Sequence, residues 1–164
     1  MATGSSDSSD TLREIARRFR EELWNTGDLA VADAVVARDC FIHSLVPFAT
    51  DFSRGPDALA QLVLFFHLAF SEIEMRVDTS VVEADRVASR WTARARHTGD
   101  LLGVPATGRL AQVSGIDMLR VQDGKIVEGW VSWDALSLLD QLTGPEEGAA
   151  GAAFMALLER LRED

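Results

Sequence analysis

The segment VASRWTARARHT, residues 87–98, follows a two-residue alternation and decides the class of fold. Val87, Trp91 and His97 fall on one face of an extended strand, whereas the arginines of the segment fall on the other. A period of this kind is typical of a strand that buries one face. The segment therefore predicts a long strand that lies against a hydrophobic core.

Further strands are predicted on both sides of this segment. Residues 73–83 precede it, and residues 110–121 and 125–133 follow it. The pair Asp123-Gly124 between the last two strands is a hairpin signal, because both residue types tolerate positive φ in a tight turn. The second half of the chain therefore predicts consecutive antiparallel strands.

The first half of the chain shows helical periodicity instead. Helices are predicted for residues 11–24, 29–37 and 55–70, with one short strand at 39–45 and a short helix after the last strand at 135–142. Helices followed by consecutive strands indicate an α+β fold, not a doubly wound parallel sheet. We expect a curved antiparallel sheet that the N-terminal helices close into a cone, with a pocket inside the cone.

The length of 164 residues predicts a single folded domain. Residues 1–10 lack the basic and apolar regions of a signal peptide. They are expected to form a disordered leader. Residues 11–144 are expected to form the domain, and residues 145–164 a linker with a C-terminal amphipathic helix. No apolar run approaches the roughly 20 residues of a membrane span.

Charge and cysteine content narrow the class of partner. The net charge is −10, which disfavours nucleic acid and anionic membranes as partners. Cys40 is the only cysteine, so an intrachain disulfide is excluded, and a cytoplasmic location is expected. Its apolar neighbours favour a core thiol over a nucleophile. The sequence contains no pair of cysteines or histidines with the spacing of a metal-binding motif, so no metal site is predicted.

Several segments in the second half resemble those of the SnoaL-like polyketide cyclases, or ester cyclases. They are HTG at 97–99, PATGR at 105–109, GIDMLR at 115–120, DGKIVE at 123–128, Trp130, WD at 133–134 and LLDQL at 138–142. No single segment is specific, but their order and spacing resemble the family from about residue 11 to 144. The family belongs to the ketosteroid-isomerase-like, or nuclear-transport-factor-2-like, superfamily. The resemblance therefore implies a cone-shaped, strongly curved antiparallel sheet closed by the N-terminal helices, a cystatin-like α+β barrel.

The resemblance implies an activity as well as a fold. It implies a cofactor-independent cyclase that closes a ring in a polyketide-type intermediate by acid/base catalysis, through aldol-like or hydroxyl attack in an apolar pocket. The catalytic aspartate of the family is expected at Asp134. An isomerase, a hydratase, an epoxide-opening enzyme or a non-catalytic small-molecule-binding module stays open as an alternative.

Counting by twos places Glu128, Trp130 and Asp134 on one face of the last strand. If that face lines the cone, the apolar surroundings raise the pKa of these carboxyls and suit Asp134 to proton transfer. The alternative for Asp134 is the N-cap of the helix that follows. Asp117 is a buried strand acid by its pattern, and we expect it to pair with an arginine such as Arg90, Arg94 or Arg120.

His97 is a candidate second proton carrier or a ligand for a substrate carbonyl, and a strand-end histidine bonded to backbone is the alternative. His43 is a weaker candidate for the pocket. A flat apolar or aromatic substrate is expected against a wall of large side chains, namely Trp91, Trp130, Trp133, Phe66, Phe70 and Met118. A homodimer is also expected, because one face of such a sheet is commonly left to a second subunit.

Overall fold

The computed structural model describes residues 4–44 and 54–144. The predicted linker and helix of residues 145–164 lie outside the described residues. Within the described residues, a mainly helical first half with one strand precedes four consecutive strands, and the five strands form one sheet, in agreement with the α+β prediction.

Most helices lie in the first half of the described chain, and one short helix follows the last strand. Helix α1 (Gly4–Arg17) continues through a π-helical turn (Arg18–Glu22) into α2 (Leu23–Thr26), and α3 (Ala30–Val35) follows after Gly27, whose φ of 67° ends α2. Helix α4 (Gly55–Ala69) has Pro56 in its first turn, where no amide hydrogen is needed. Helix α5 (Ala135–Thr143) follows the last strand.

Helix α1 begins at Gly4, earlier than the predicted start at residue 11. Residues 4–10 of the expected leader therefore belong to the helix. No proline interrupts them. The carboxylate of Asp10 accepts from Arg13, one turn later, at 3.2 Å, and this ion pair stabilises the helix.

The strands are β1 (Val36–Ser44), β2 (Phe70–Glu83), β3 (Arg86–His97), β4 (Leu110–Gln122) and β5 (Lys125–Trp133). Their order in the sheet is β1-β5-β4-β3-β2. Neighbours are antiparallel except β1 and β5, which run parallel, so the sheet is mixed where an antiparallel one was expected.

The inner face of the sheet carries Trp91, Ala93 and Val113, and the outer face carries Arg90, Thr92 and Ile116. Helix side chains such as Ile15, Phe19 and Leu23 form one buried cluster with inner-face residues. In β3, Trp91 and Ala93 lie on the inner face, as the alternation in the sequence predicted. This facing is favourable because each inward side chain removes apolar area from water.

A β-bulge at Val127 changes the facing of β5. Arg120 pairs with Glu128, but the next residue, Val121, pairs with Ile126, which leaves Val127 as an extra residue. An extra residue reverses the alternation beyond it. Ile126 faces inward, and after the bulge the inward positions are 129, 131 and 133 instead of the predicted 128, 130, 132 and 134.

Candidate active site

An apolar cavity of about 130 Å³ lies between the helices and the inner face of the sheet. That volume is several times the roughly 10–15 Å³ that one water needs. Its walls come from the α1–α2 segment, α4, α5 and every strand of the sheet. Most of the lining side chains are apolar, including Leu59, Leu62, Ile73, Met75, Ala93, Ala95, Ala111, Val113, Val131 and Leu138.

Aromatic rings form a continuous part of the wall. Phe66 lies at its centre, with ring centroids 5.7 Å from Trp24, 6.2 Å from Trp133 and 6.3 Å from Phe70. Trp91 also lines the cavity, from the inner face of β3. The predicted wall is thus formed by Phe66, Phe70, Trp91 and Trp133, whereas Met118 and Trp130 do not line the cavity.

Gly115 makes room for the Trp91 indole. The two residues are cross-strand partners, and a Cβ at position 115 would overlap the six-membered ring of Trp91. The absence of a side chain at Gly115 therefore lets the indole pack closely against the backbone of β4.

Asp134 does not lie in the cavity. Its side chain is exposed, and Oδ1 accepts a hydrogen bond from the backbone N–H of Ser137 at 2.9 Å, which caps α5. The prediction that Asp134 faces an apolar pocket is therefore wrong, because the bulge at Val127 reverses the facing of the strand. The alternative role, an N-cap, is confirmed. Asp134 still follows Trp133, and Trp133 and Leu138 both line the cavity, so it stands at the edge of the site.

The same bulge places Glu128 and Trp130 on the outer face, where His43 of the neighbouring strand β1 lies beside them. His43 stacks on Trp130 with centroids 5.2 Å apart, and its Nε2 lies 3.1 Å from Oε1 of Glu128. Arg120 donates to the other carboxylate oxygen of Glu128 at 3.2 Å. The hydrogen bond from His43, then that from Arg120, holds the pKa of Glu128 below its usual value, opposite to the predicted direction.

His97 is completely buried at the end of β3. Its Nδ1 accepts from the backbone N–H of Thr107 at 3.3 Å and lies 3.1 Å from the Thr107 hydroxyl, so Nε2 carries the proton in the neutral ring. Nε2 has no hydrogen-bond partner among the described residues. Burial lowers the pKa of His97, and the charge of Asp100 opposes that shift. The ring contacts Phe70 (centroids 5.2 Å apart) but does not line the cavity.

The HTG and PATGR segments serve the loop that follows His97. The backbone N–H of Gly108 donates to the carbonyl of His97 at 2.8 Å. The backbone N–H of Gly99 donates to the carbonyl of Ala69, at a place where a Cβ on residue 99 would overlap the carbonyl oxygen of Leu68. Arg109 donates to the carbonyl of Leu142 at 3.0 Å and so ties the loop to the end of α5. These segments therefore fix the wall that α5 contributes.

Arg20 and Asp117 form the charged group that the sequence reasoning did not place at the site. Arg20 lines the cavity, and its Nε donates to Oδ2 of Asp117; their side chains are 4% and 0% exposed. Asp117 was expected to pair with an arginine of the sheet, but its partner comes from the π-helical turn. The available signal was the helical spacing of Leu12, Ala16 and Arg20, which sets the guanidinium on the buried side.

Cys40 is buried, and desolvation raises the pKa of its thiol to about 12, as expected for a core residue. Among residues 4–44 and 54–144, no group of His, Cys, Asp and Glu side chains is arranged to hold a metal ion. Over the same part of the chain, no helix combines the length and apolar character needed to cross a membrane.

Comparison with known sequences identifies a family. The sequence pattern of SnoaL-like polyketide cyclases matches residues 14–142. The aklanonic acid methyl ester cyclase DnrD of Streptomyces peucetius is 39% identical over 120 residues, covering 69% of this chain and 77% of that protein.

Solved structures give the same result. IdmH of Streptomyces antibioticus is 32% identical and superposes with a TM-score of 0.69, over 85% of this chain and 98% of the other. A protein from Jannaschia sp. CCS1 superposes with a TM-score of 0.74 over 88% of this chain and 99% of its own, and at 19% identity this match shows the fold alone.

Proposed function

Because the chain belongs to the SnoaL-like polyketide cyclase family, we propose that it closes a ring in an apolar, polyketide-type intermediate that binds in the cavity on the inner face of the sheet. The observation that carries the proposal is the aromatic lining of this cavity, with Phe66, Trp91 and Trp133 on different walls. Flat rings of a substrate have large faces against which such side chains pack.

Ring closure depends on folding one substrate molecule so that two of its own carbons meet. A cavity that holds the chain in that conformation replaces a costly conformational search with a single bound geometry. Its apolar walls also exclude water from an enolate, which would otherwise take its proton back from solvent. The name of the S. peucetius relative supports a methyl ester of a polyketide acid as the substrate class.

Acid/base catalysis by Asp134 and His97 stays a prediction. No described residue that lines the cavity is an aspartate, a glutamate or a histidine. Asp134 lies at the edge of the cavity, and His97 lies behind Phe70, so each needs a change of side-chain conformation or a water molecule to reach a substrate.

The variant Asp134→Asn tests this prediction, because asparagine keeps the capping oxygen and removes the base. If Asp134 transfers the proton, turnover of aklanonic acid methyl ester should fall by about 10²–10⁴-fold with an unchanged melting temperature. An aldol product is an isomer of its substrate, so chromatography, not mass alone, must follow the reaction. Unchanged turnover would restrict Asp134 to its role as a cap.

One observation favours a second function, non-catalytic binding of an apolar molecule. The cavity contains aromatic walls but no carboxylate or imidazole among its described lining residues. Under this alternative, the wild-type chain binds polycyclic compounds and converts none of them.

The expected homodimer and cytoplasmic location belong to the same proposal. Ile116, 58% exposed, lies on the outer face with Met118 and Trp130, which offers an apolar surface to a second copy. Light scattering of the purified protein gives its mass directly, and a monomeric mass would exclude the dimer.

A further inference from the structure

Arg20 is held rigidly in the wall of the cavity. It is 3% exposed and lies in the π-helical turn, an irregularity that often occurs at functional sites. Its guanidinium carbon lies 4.7 Å from the ring centroid of Phe19 and 4.9 Å from that of Trp91. Asp117 accepts from Nε, so the ion pair uses one edge of the guanidinium and fixes its plane.

Several polar atoms around this pair are buried without a hydrogen-bond partner in the described part of the chain. The donors are Nη2 of Arg20 and Nε1 of Trp91, the acceptor is Oδ1 of Asp117, and the hydroxyl of Ser89 can serve as either. Ser89 and Asp117 are cross-strand partners with inward side chains, and Arg20 contacts Trp91. These atoms therefore form one cluster, which we call the Arg20 cluster.

Buried polar atoms are nearly always hydrogen-bonded, so a cluster of unpartnered ones provides binding partners for a polar ligand or a water molecule. Outside the Arg20 cluster, the lining residues contribute one further buried polar atom without a partner in the described part of the chain, Nε1 of Trp24. Arg94, the other lining arginine, is exposed, so solvent screens the attraction between its charge and a ligand. A molecule that fills the cavity and carries an oxygen thus has one buried cationic donor to bind, the Arg20 guanidinium.

We propose that Arg20 binds a carbonyl oxygen of the cyclase substrate and stabilises the negative charge that forms on it during ring closure, with Asp117 as the positioning residue. This inference rests on the proposed function. It goes beyond it by assigning the oxygen-binding group to a residue outside the segments that carry the family resemblance.

In the step concerned, the enolate carbon of the substrate forms a bond to the carbonyl carbon. The carbonyl π electrons move to the oxygen, which becomes an alkoxide beside the Arg20 guanidinium. The proton first removed from the donor carbon ends on this alkoxide, so substrate and product have the same atoms. A fixed donor in a dry site is effective here, because it needs no reorientation as the charge develops.

The test compares anthracene with 9,10-anthraquinone, which share a tricyclic frame but differ in two carbonyl groups. Binding to the whole chain is followed by tryptophan fluorescence. For wild type, we expect anthraquinone to bind more tightly than anthracene. Arg20→Met should weaken anthraquinone binding about tenfold or more and change anthracene binding by less than about twofold. Arg120→Met removes an arginine from the outer face of the sheet; it is the matched control and should leave both affinities unchanged.

Asp117→Asn tests the positioning role. Asparagine keeps the shape but weakens the contact that orients the guanidinium, so anthraquinone binding should fall while anthracene binding stays. With a substrate that turns over, kcat should fall more than KM rises, since the lost interaction forms in the transition state. If Arg20→Met is too unstable to study, Arg20→Met with Asp117→Leu removes both charges and replaces them with apolar volume.

The outcomes separate the two proposals. An anthraquinone preference that survives loss of Arg20 would overturn the role of Arg20 and leave the cavity proposal intact. A wild-type chain that binds neither probe would overturn both. A preference that disappears in the Arg20 variants and persists in the Arg120 variant supports the inference.

Discussion

Two arginine–carboxylate pairs on opposite faces of the same sheet differ in almost every respect. Arg20–Asp117 lies on the inner face with side chains 4% and 0% exposed, whereas Arg120 and Glu128 on the outer face are each 30% exposed. Asp117 and Arg120 are only three positions apart on β4. The comparison teaches that the face of the strand, and not the type of residue, decides whether a carboxylate belongs to the site or to the surface.

The largest expected difference between the two pairs is in stability. Asp117→Ala leaves the Arg20 charge buried and unpaired, so the free energy of unfolding should fall by about 3–5 kcal/mol. Glu128→Ala breaks the exposed pair and should cost no more than about 1 kcal/mol. Urea denaturation of both variants measures the difference, and equal losses would contradict it. The apolar double replacement of Arg20 and Asp117 should recover most of the loss.

A second difference concerns the two tryptophans of β5. Trp133 lines the cavity, whereas Trp130 stacks on His43 at the outer face. Trp133→Leu should weaken anthracene binding by about tenfold, or about 1.4 kcal/mol, because the ligand loses an aromatic surface. Trp130→Leu should leave the affinity unchanged. A ligand that depends on Trp130 would place the binding site on the wrong face.

The smallest expected effect concerns the two histidines. Because burial lowers the pKa of His97, the folded chain keeps its ring neutral below about pH 6.5, where the unfolded chain takes up a proton. The free energy of unfolding should therefore fall as the pH decreases through this range, by at most about 1.4 kcal/mol per pH unit.

Denaturation at pH 7.5 and 5.5 measures this effect. His97→Gln should lose that part of the pH dependence, and His43→Gln, on the outer face, should keep it. Identical profiles for wild type and His97→Gln would show that the buried ring does not contribute.

Most of the fold could be predicted because burial imposes regular patterns. The alternation in residues 87–98 gave β3 with its correct inner face, and the Asp-Gly turn gave the β4–β5 hairpin. The parallel pairing of β1 with β5 left no local signal, because it joins segments far apart in sequence.

The site was harder to predict, since one extra residue reverses the facing of everything after it. Nothing in the composition around Val127 marks a bulge, so Glu128, Trp130 and Asp134 were assigned to the wrong face. Arg20 was missed because it lies on a helix whose periodicity described its apolar neighbours and not the charge among them. Its carboxylate partner is distant in sequence, and only the packed fold brings the two together.

Gly115 also limits how the cavity can change. A Cβ at position 115 would overlap Cζ2 of Trp91 and lie 2.8 Å from the backbone oxygen of Ser132, so any larger residue must shift both the indole and the neighbouring strand β5. The space available to a ligand therefore depends on Gly115, a residue that does not itself line the cavity. Alanine or serine at this position is therefore expected to change the shape of the cavity wall at Trp91 and to lower stability, because backbone must move as well.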